Sequence, residues 1–287
     1  MVSPMGAAAV GAELMADTDI WYVYGVAPAT VDFRRSPEGL DDAAVQSCVD
    51  GEFAALVSLL DGTQYAPAAI ERATENVEWL APRAVAHDRV LTWASDRGPV
   101  IPLPIFSLFS SEDAIRHMLR ERRAELTEAL RRTSLGREYV LRVYRIDEEL
   151  TKVAAELSPR LAQLTEAARS ATPGQRYLLE RKLDSERKNE LHMIGARIAR
   201  EVMDALQPLA VENVEGRIVA RTRSSGDAPL VLDAAFLVAP NALESFQREL
   251  TALVGRHASR GFRFDFTGPW PPYHFVQTQT SPASQDA

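Results

Sequence analysis

The sequence predicts an α+β protein of two domains, an N-terminal αβ domain and a C-terminal ferredoxin-like domain with a long helical hairpin inserted in its first crossover. Three observations predict it. Short β-branched and aromatic runs bounded by Gly and Pro alternate with stretches whose apolar residues recur at helical spacing. From Tyr139 onward the order is strand, helical excursion, strand, strand, helix, strand, which is the ferredoxin-like sequence of elements. The excursion, Asp147 to Leu206, carries helical patterning nearly throughout. At 287 residues the chain is long enough for two domains with a core each. The expected divisions are a flexible leader over 1–18, the N-terminal domain over 19–136, the C-terminal domain over 137–276 with its hairpin at 147–206, and a disordered tail over 277–287.

The first strand is Ile20 to Val26, IWYVYGV, closed by Gly25 and Pro28. A second fits Phe53 to Leu60 between Gly51 and Asp61-Gly62, and the stretch separating the two reads as loop. From Pro67 to about Ser95, Ile70, Ala73, Val77, Leu80 and Ala84 give an amphipathic helix that Pro82 is expected to kink or split. Pro99 to Phe106 reads as extended, because each Pro biases its predecessor away from the helical region. Ser110 with Asp113 resembles a capping box for a helix faced by Ile115, Met118, Leu119, Leu126, Ala129 and Leu130, ending near Gly136.

Tyr139 to Ile146 alternates as a strand with one covered face. Leu150, Val153, Leu157, Leu161 and Leu164 then step by three and four, with Ser158-Pro159 and Thr172-Pro173 each starting a new helix. The last of these runs from Pro173 to about Leu206, and its middle, Asp184 to Glu190, is polar all round. Such a stretch is expected where a helix leaves the body of its domain. Val211 to Thr222 is extended, and Leu230 to Val238 is apolar enough for a strand buried on both faces. Asn241 and Glu244 open a helix faced by Leu243, Phe246, Leu250, Leu253 and His257, which Gly261 ends. Phe262 to Phe266 is the final strand, followed by the Pro-rich and aromatic GPWPPYHFV.

Thirty-two basic residues face 40 acidic ones for a net charge of -8, which argues against a nucleic-acid or anionic-lipid partner. One cysteine, Cys48, excludes an internal disulfide and any CxxC pair, as suits a reducing cytoplasm. No apolar run approaches the ~20 residues that span a bilayer. Glycine-rich phosphate loops, HExxH and GxSxG are all missing, and five histidines are scattered singly, so neither catalysis, a cofactor nor a metal is expected. Cys48 is expected to be a small semi-buried residue. The arginines at 116, 120, 122, 123, 131 and 132 are interleaved with glutamates, which predicts a salt-laced helix face rather than a phosphate site.

Thr267-Gly268-Pro269-Trp270-Pro271-Pro272-Tyr273-His274-Phe275-Val276 closely resembles the C-terminal signature of the GvpF/GvpL family of gas vesicle proteins. Trp21 to Gly25, Val100 to Phe109, Tyr139 to Tyr144, Gly174 to Leu179 and Asp233 to Val238 resemble the family in the same order. One segment departs from it: Leu103-Pro104-Ile105-Phe106-Ser107-Leu108 lacks the Arg and Gly of a Leu-Pro-x-Arg-Phe-Gly-like stretch. The resemblance implies a non-enzymatic accessory protein of gas vesicle formation that binds the small hydrophobic shell protein GvpA and other accessory Gvp proteins.

On that reading the chain is an adaptor or chaperone for shell subunits, whose large apolar faces would otherwise self-associate. The expected partner-binding residues are Leu157, Leu161, Leu164, Leu191 and Ile194 on the hairpin faces, and Trp270 and Tyr273 at the rim. The alternative is an enzyme or ligand-binding protein using the cleft between the two halves. Asp233 would be its buried carboxylate, unless that residue pairs with Arg217 or Arg221. A third reading, nucleic-acid binding on the sheet, lacks the aromatic signature of RNA-recognition modules.

Overall fold

The structure is a computed structural model that describes residues 19–65, 70–71, 73, 76–216 and 228–276. The chain divides into two compact units, between Arg131 and Arg132. In the first, β1 (Ile20–Pro28), β2 (Gln46–Asp50), β3 (Phe53–Leu60) and β4 (Ile101–Pro102) form a sheet in the order β2-β3-β1-β4, and β5 (Leu108–Phe109) also pairs with β1. All of these pairings are antiparallel. β1 and β3 have the predicted composition, and every residue of β1 from Tyr22 to Ala27 is buried. The stretch between them is not loop throughout, because it contains β2. That strand is polar and lies at the sheet edge, so hydrophobic alternation gives it no signal. It is instead specified by a tight Asp50-Gly51-Glu52 turn, with Gly51 in the left-handed region at φ +59°.

The helix expected from Pro67 begins later, as α1 (Val77–Ser95). Asn76 caps it, its side chain accepting from Glu78 N–H at 2.9 Å, and residues 70, 71 and 73 form a separate helical piece. The break therefore falls at Asn76 and not at Pro82, which sits inside α1 without ending it. Residues 66–69, 72, 74 and 75 of the predicted helix lie outside the described residues. After Pro102 the chain stays extended for only part of the predicted run, since Phe106 adopts φ +65°. The next helix is capped by Ser111, whose hydroxyl accepts from Ala114 N–H at 3.1 Å, one residue beyond the predicted Ser110. It is also two helices, α2 (Glu112–Glu121) and α3 (Arg123–Thr133), because Arg122 leaves helical geometry.

The second unit contains β6 (Arg137–Arg145), α4 (Asp147–Leu157), α5 (Pro159–Ser170), α6 (Pro173–Leu206), β7 (Glu212–Glu215), β8 (Leu230–Val238), α7 (Leu243–His257), β9 (Phe262–Trp270) and α8 (Tyr273–Val276). Its strands form an antiparallel sheet in the order β7-β8-β6-β9. Alternation along each strand separates two faces. Tyr139, Leu141 and Val143 of β6, Leu232, Ala234 and Phe236 of β8 and Phe262 of β9 join the main core with α4, α6 and α7. The opposite face carries a smaller cluster of Val140, Ala235, Leu237 and Phe275. β8 is thus covered on both faces from Ala234 to Val238, the second half of its predicted run, while Leu230, Val231 and Asp233 are only partly buried. The strand predicted over Val211 to Thr222 is described only as β7, and residues 217–222 lie outside the described residues.

Candidate docking surface

The geometry of the helices after β6 follows from their caps. Ser158 closes α4 and opens α5: its hydroxyl accepts from Leu161 N–H at 3.1 Å and donates to Glu190 of α6 at 2.6 Å. Arg160 grips Glu186 with two bonds of 2.7 and 2.8 Å, and Arg176 donates to the Ala168 carbonyl at 3.2 Å. These pairings run in opposite chain directions, so α5 and α6 lie antiparallel. α6 has 34 residues, a span of about 50 Å at 1.5 Å per residue.

This arrangement turns the predicted hairpin leucines inward. Leu161, Leu164, Leu191 and Ile194 are buried, and three of them, Leu161, Leu191 and Ile194, belong to the main core; Leu157 is half-buried against it. The four buried ones hold the helices together and leave little of their surface accessible, while Leu157 keeps part of its side chain open. The apolar stripe identifies a packing face without saying what packs on it, and here the chain's own helices do. Buried positions of α6 begin only at Leu191; from Pro173 to Glu190 none is buried. Within that first half Tyr177 and Leu178 are 60% and 67% exposed, just after the Thr172–Gln175 capping box. Their signal was present in sequence as the Gly174 to Leu179 segment, although not as a predicted site.

The tail takes shape through a buried carboxylate. Glu138 of β6 is 1% exposed and accepts from His274 N–H at 3.0 Å through Oε2, while its Oε1 meets His274 Nδ1 at 2.6 Å. That hydrogen bond raises the imidazole pKa above its ordinary value, against the opposing effect of partial burial. Phe275 then enters the small cluster on the outer sheet face. Pro271 and Pro272 are buried, Tyr273 is half-buried, and Trp270 remains 39% exposed with its indole N–H donated to Thr267 Oγ1 at 3.0 Å. The tail is therefore packed on its own sheet, and of the two predicted rim residues Trp270 presents the larger accessible surface.

Residues weighed for chemistry are engaged elsewhere. Asp233 pairs with Arg142 of β6 at 3.2 Å and is only partly buried; Arg217 and Arg221, its predicted partners, lie outside the described residues. Cys48 is buried, and desolvation raises its thiol pKa. His87 lies in the first unit's core, its Nδ1 2.6 Å from Tyr22 Oη, and burial lowers its pKa to about 4. Each of the six arginines has a carboxylate partner: Arg116 with Glu112 and Asp113, Arg120 with Asp50, Arg122 with Glu125, Arg123 with Glu52, Arg131 with Glu128 and Arg132 with Glu212. The divergent segment packs along β1, with Leu103 N–H donating to Tyr24 O and Val23 N–H to Ser107 O, both at 2.9 Å, and Phe106 stacked on Trp79. Among the described residues no cluster of His, Cys, Asp or Glu is placed to hold a metal, and no helix is long and apolar enough to cross a membrane.

Two antiparallel sheets, each combined with helices, define a mixed α+β protein in which Tyr177 and Leu178 form an adjacent exposed apolar pair on one end of a long helix, among other exposed apolar side chains such as Val77, Val85 and Met193. The chain belongs to the GvpL/GvpF family: the family model described as gas vesicle synthesis protein GvpL/GvpF matches residues 20–277. It is 24% identical over 271 residues to gas vesicle protein L of Streptomyces sp. (strain CB03234), covering 91% of this chain and 94% of that one. Crystal structures of gas vesicle protein GvpF share the fold. The protein from Anabaena sp. PCC7120 matches with a TM-score of 0.63 at 20% identity, over 91% of this chain and 97% of that one. The protein from Microcystis aeruginosa matches with a TM-score of 0.63 at 18% identity, over 91% and 100%.

Proposed function

We propose that the chain is an accessory protein of gas vesicle assembly, acting in the cytoplasm and at the gas vesicle as a non-catalytic adaptor or chaperone that binds the hydrophobic shell protein GvpA and other accessory Gvp proteins. The observation that carries this reading is the exposure of Tyr177 and Leu178 on the half of α6 that contributes nothing to the core. Large apolar side chains held open on a capped helix offer a partner area at little ordering cost. A shell subunit with an exposed apolar face needs such a temporary partner, since free faces associate without limit.

The second unit is read as a ferredoxin-like domain, with residues 147–206 as a hairpin in its first crossover. The strand order β7-β8-β6-β9, with helices between β6 and β7 and between β8 and β9, supports that assignment. Trp270, at the end of β9, is a second contact. Leu161, Leu164, Leu191 and Ile194 support the surface indirectly by keeping α5 and α6 together.

Copurification of the shell protein with the full chain tests the reading. Tyr177→Ser with Leu178→Ser is expected to reduce capture about tenfold while leaving the melting curve unchanged, since neither side chain is buried. Undiminished capture by that variant removes the helix end from the mechanism.

A further inference from the structure

We propose that two copies of the chain associate by pairing their β9 strands antiparallel about a twofold axis at Phe264, joining two four-stranded sheets into one of eight. This goes beyond the adaptor reading and does not depend on it. Among the described residues β9 is the end strand of its sheet and runs for nine residues, paired with β6 on one side. A long end strand presents a row of backbone donors and acceptors, and natural sheets ordinarily blunt such an edge. Among the described residues of β9 the edge is interrupted at its far end, by Pro269 and the register shift beside it, whereas Phe262 to Phe266 keeps a regular register with β6.

The ladder fixes which groups face outward. Ile146 N–H donates to Gly261 O at 2.8 Å, and Arg145 pairs with Phe262 in the same register. Bonded and non-bonded pairs alternate along an antiparallel ladder, so Arg263 and Asp265 direct their backbone to β6 and Phe262, Phe264 and Phe266 direct theirs to the open edge. A twofold at Phe264 then makes Phe264 face the partner's Phe264 and Phe262 face the partner's Phe266 as bonded pairs. It also places Arg263 opposite the partner's Asp265 as a non-bonded pair, the kind whose side chains approach most closely.

The charges suit this one register. Arg263 and Asp265 lie on the outer face, 53% and 44% exposed, and within the single chain they form an ion pair with each other along the strand, at 3.4 Å. Asp233, Arg142 and Asp265 occupy opposed positions on β8, β6 and β9. The partner's Arg263 would continue that row with alternating sign, and the twofold repeats it in the other direction. Tyr144 holds the Arg263 guanidinium over its ring at 4.3 Å, already on the face where the partner's carboxylate arrives. On the core side, Phe264 and Phe266 are only partly buried in one chain and gain cover from their counterparts. One interface therefore matches backbone, charge and apolar area at once, as an isologous contact requires.

Sedimentation velocity of the full chain over a concentration series tests the pairing. The wild type is expected to show a monomer–dimer equilibrium. Arg263→Asp, which sets one carboxylate against another at the partner's Asp265, is expected to raise the dissociation constant at least about tenfold. Asp265→Arg should do the same through opposed guanidinium groups, and an equimolar mixture of the two variants should restore the dimer, because only the mixed pair is complementary. Circular dichroism melting confirms that each variant is folded. Arg263→Asp is the decisive variant, because position 263 faces the Tyr144 ring within its own sheet, and salt should partly reverse its defect. A wild type that stays monomeric up to about 100 µM, a dimer that survives either reversal alone, or a mixture that fails to recover it overturns the proposal.

Discussion

His274 Nδ1 lies 2.6 Å from Glu138 Oε1, joining residues 136 apart in the chain and fixing the tail to the outer face of the second sheet. Because the bond favours the protonated imidazole, the folded pKa of His274 is raised above 6.5. The contribution of this clasp to stability is complete below the unfolded value and is lost as pH rises through the folded one. The tail is therefore expected to be held most firmly in mild acid and to loosen on moving to alkaline pH, as read from the difference in tryptophan fluorescence between the wild type and Trp270→Phe across a pH series. His274→Ala should abolish that pH dependence and destabilise by about 1–3 kcal/mol, since it removes the side-chain partner of a buried carboxylate. A pH profile that is identical in the variant would show the clasp to be without effect.

Phe275 is the apolar counterpart of the clasp. It is 1% exposed among Val140, Ala235 and Leu237. Phe275→Ala is expected to cost about 3–5 kcal/mol in chemical denaturation and to render the tail sensitive to protease, whereas Trp270→Ala should change stability little.

His87 titrates with the opposite sign. Burial lowers its folded pKa from 6.5 to about 4, so the fold favours the neutral ring. Its contribution is present above 6.5 and is lost as pH falls toward 4, at most about 3 kcal/mol. Acid unfolding of the first unit should begin in that window. His87→Leu is expected to flatten the slope of stability against pH there, measured by urea denaturation at several pH values.

Gly261 ends the short 3-10 turn after α7 with φ +88°, and a Cβ at this position would stand 2.5 Å from Leu150 N. Both the left-handed backbone and the approach of α4 demand glycine. Gly261→Ala is expected to lower stability by more than about 2 kcal/mol in thermal or urea melts.

Strong local patterns in the sequence translate directly into elements. β1 is dense in β-branched and aromatic residues, and β3 and β8 are mostly apolar runs; α6 begins at its predicted Pro173 and ends at Leu206; α7 buries Phe246, Leu250, Leu253 and His257 from its predicted face. Elements whose stability comes from neighbours leave weaker traces. β2 is a polar edge strand recruited by β3, and Pro82 is accommodated within α1 despite its missing N–H. The six paired arginines follow from spacing for Arg116, Arg122 and Arg131, whose partners lie within a turn. Arg120, Arg123 and Arg132 find Asp50, Glu52 and Glu212 only through folding.

The amino-acid order alone determined which residues are apolar, at what period, and where the strongly patterned elements such as β1, α6 and α7 lie, because those depend on interactions within a few residues. It also carried the family signature in the Thr267 to Val276 tail. Tertiary structure decided the direction of each face: Leu161 and Ile194 turn toward neighbouring helices while Tyr177 and Leu178 are left open, and Glu138 acquires His274 as its partner. A period of three or four marks an apolar stripe but contains no term for what lies opposite, and that choice is made only when distant segments compete for the same contact.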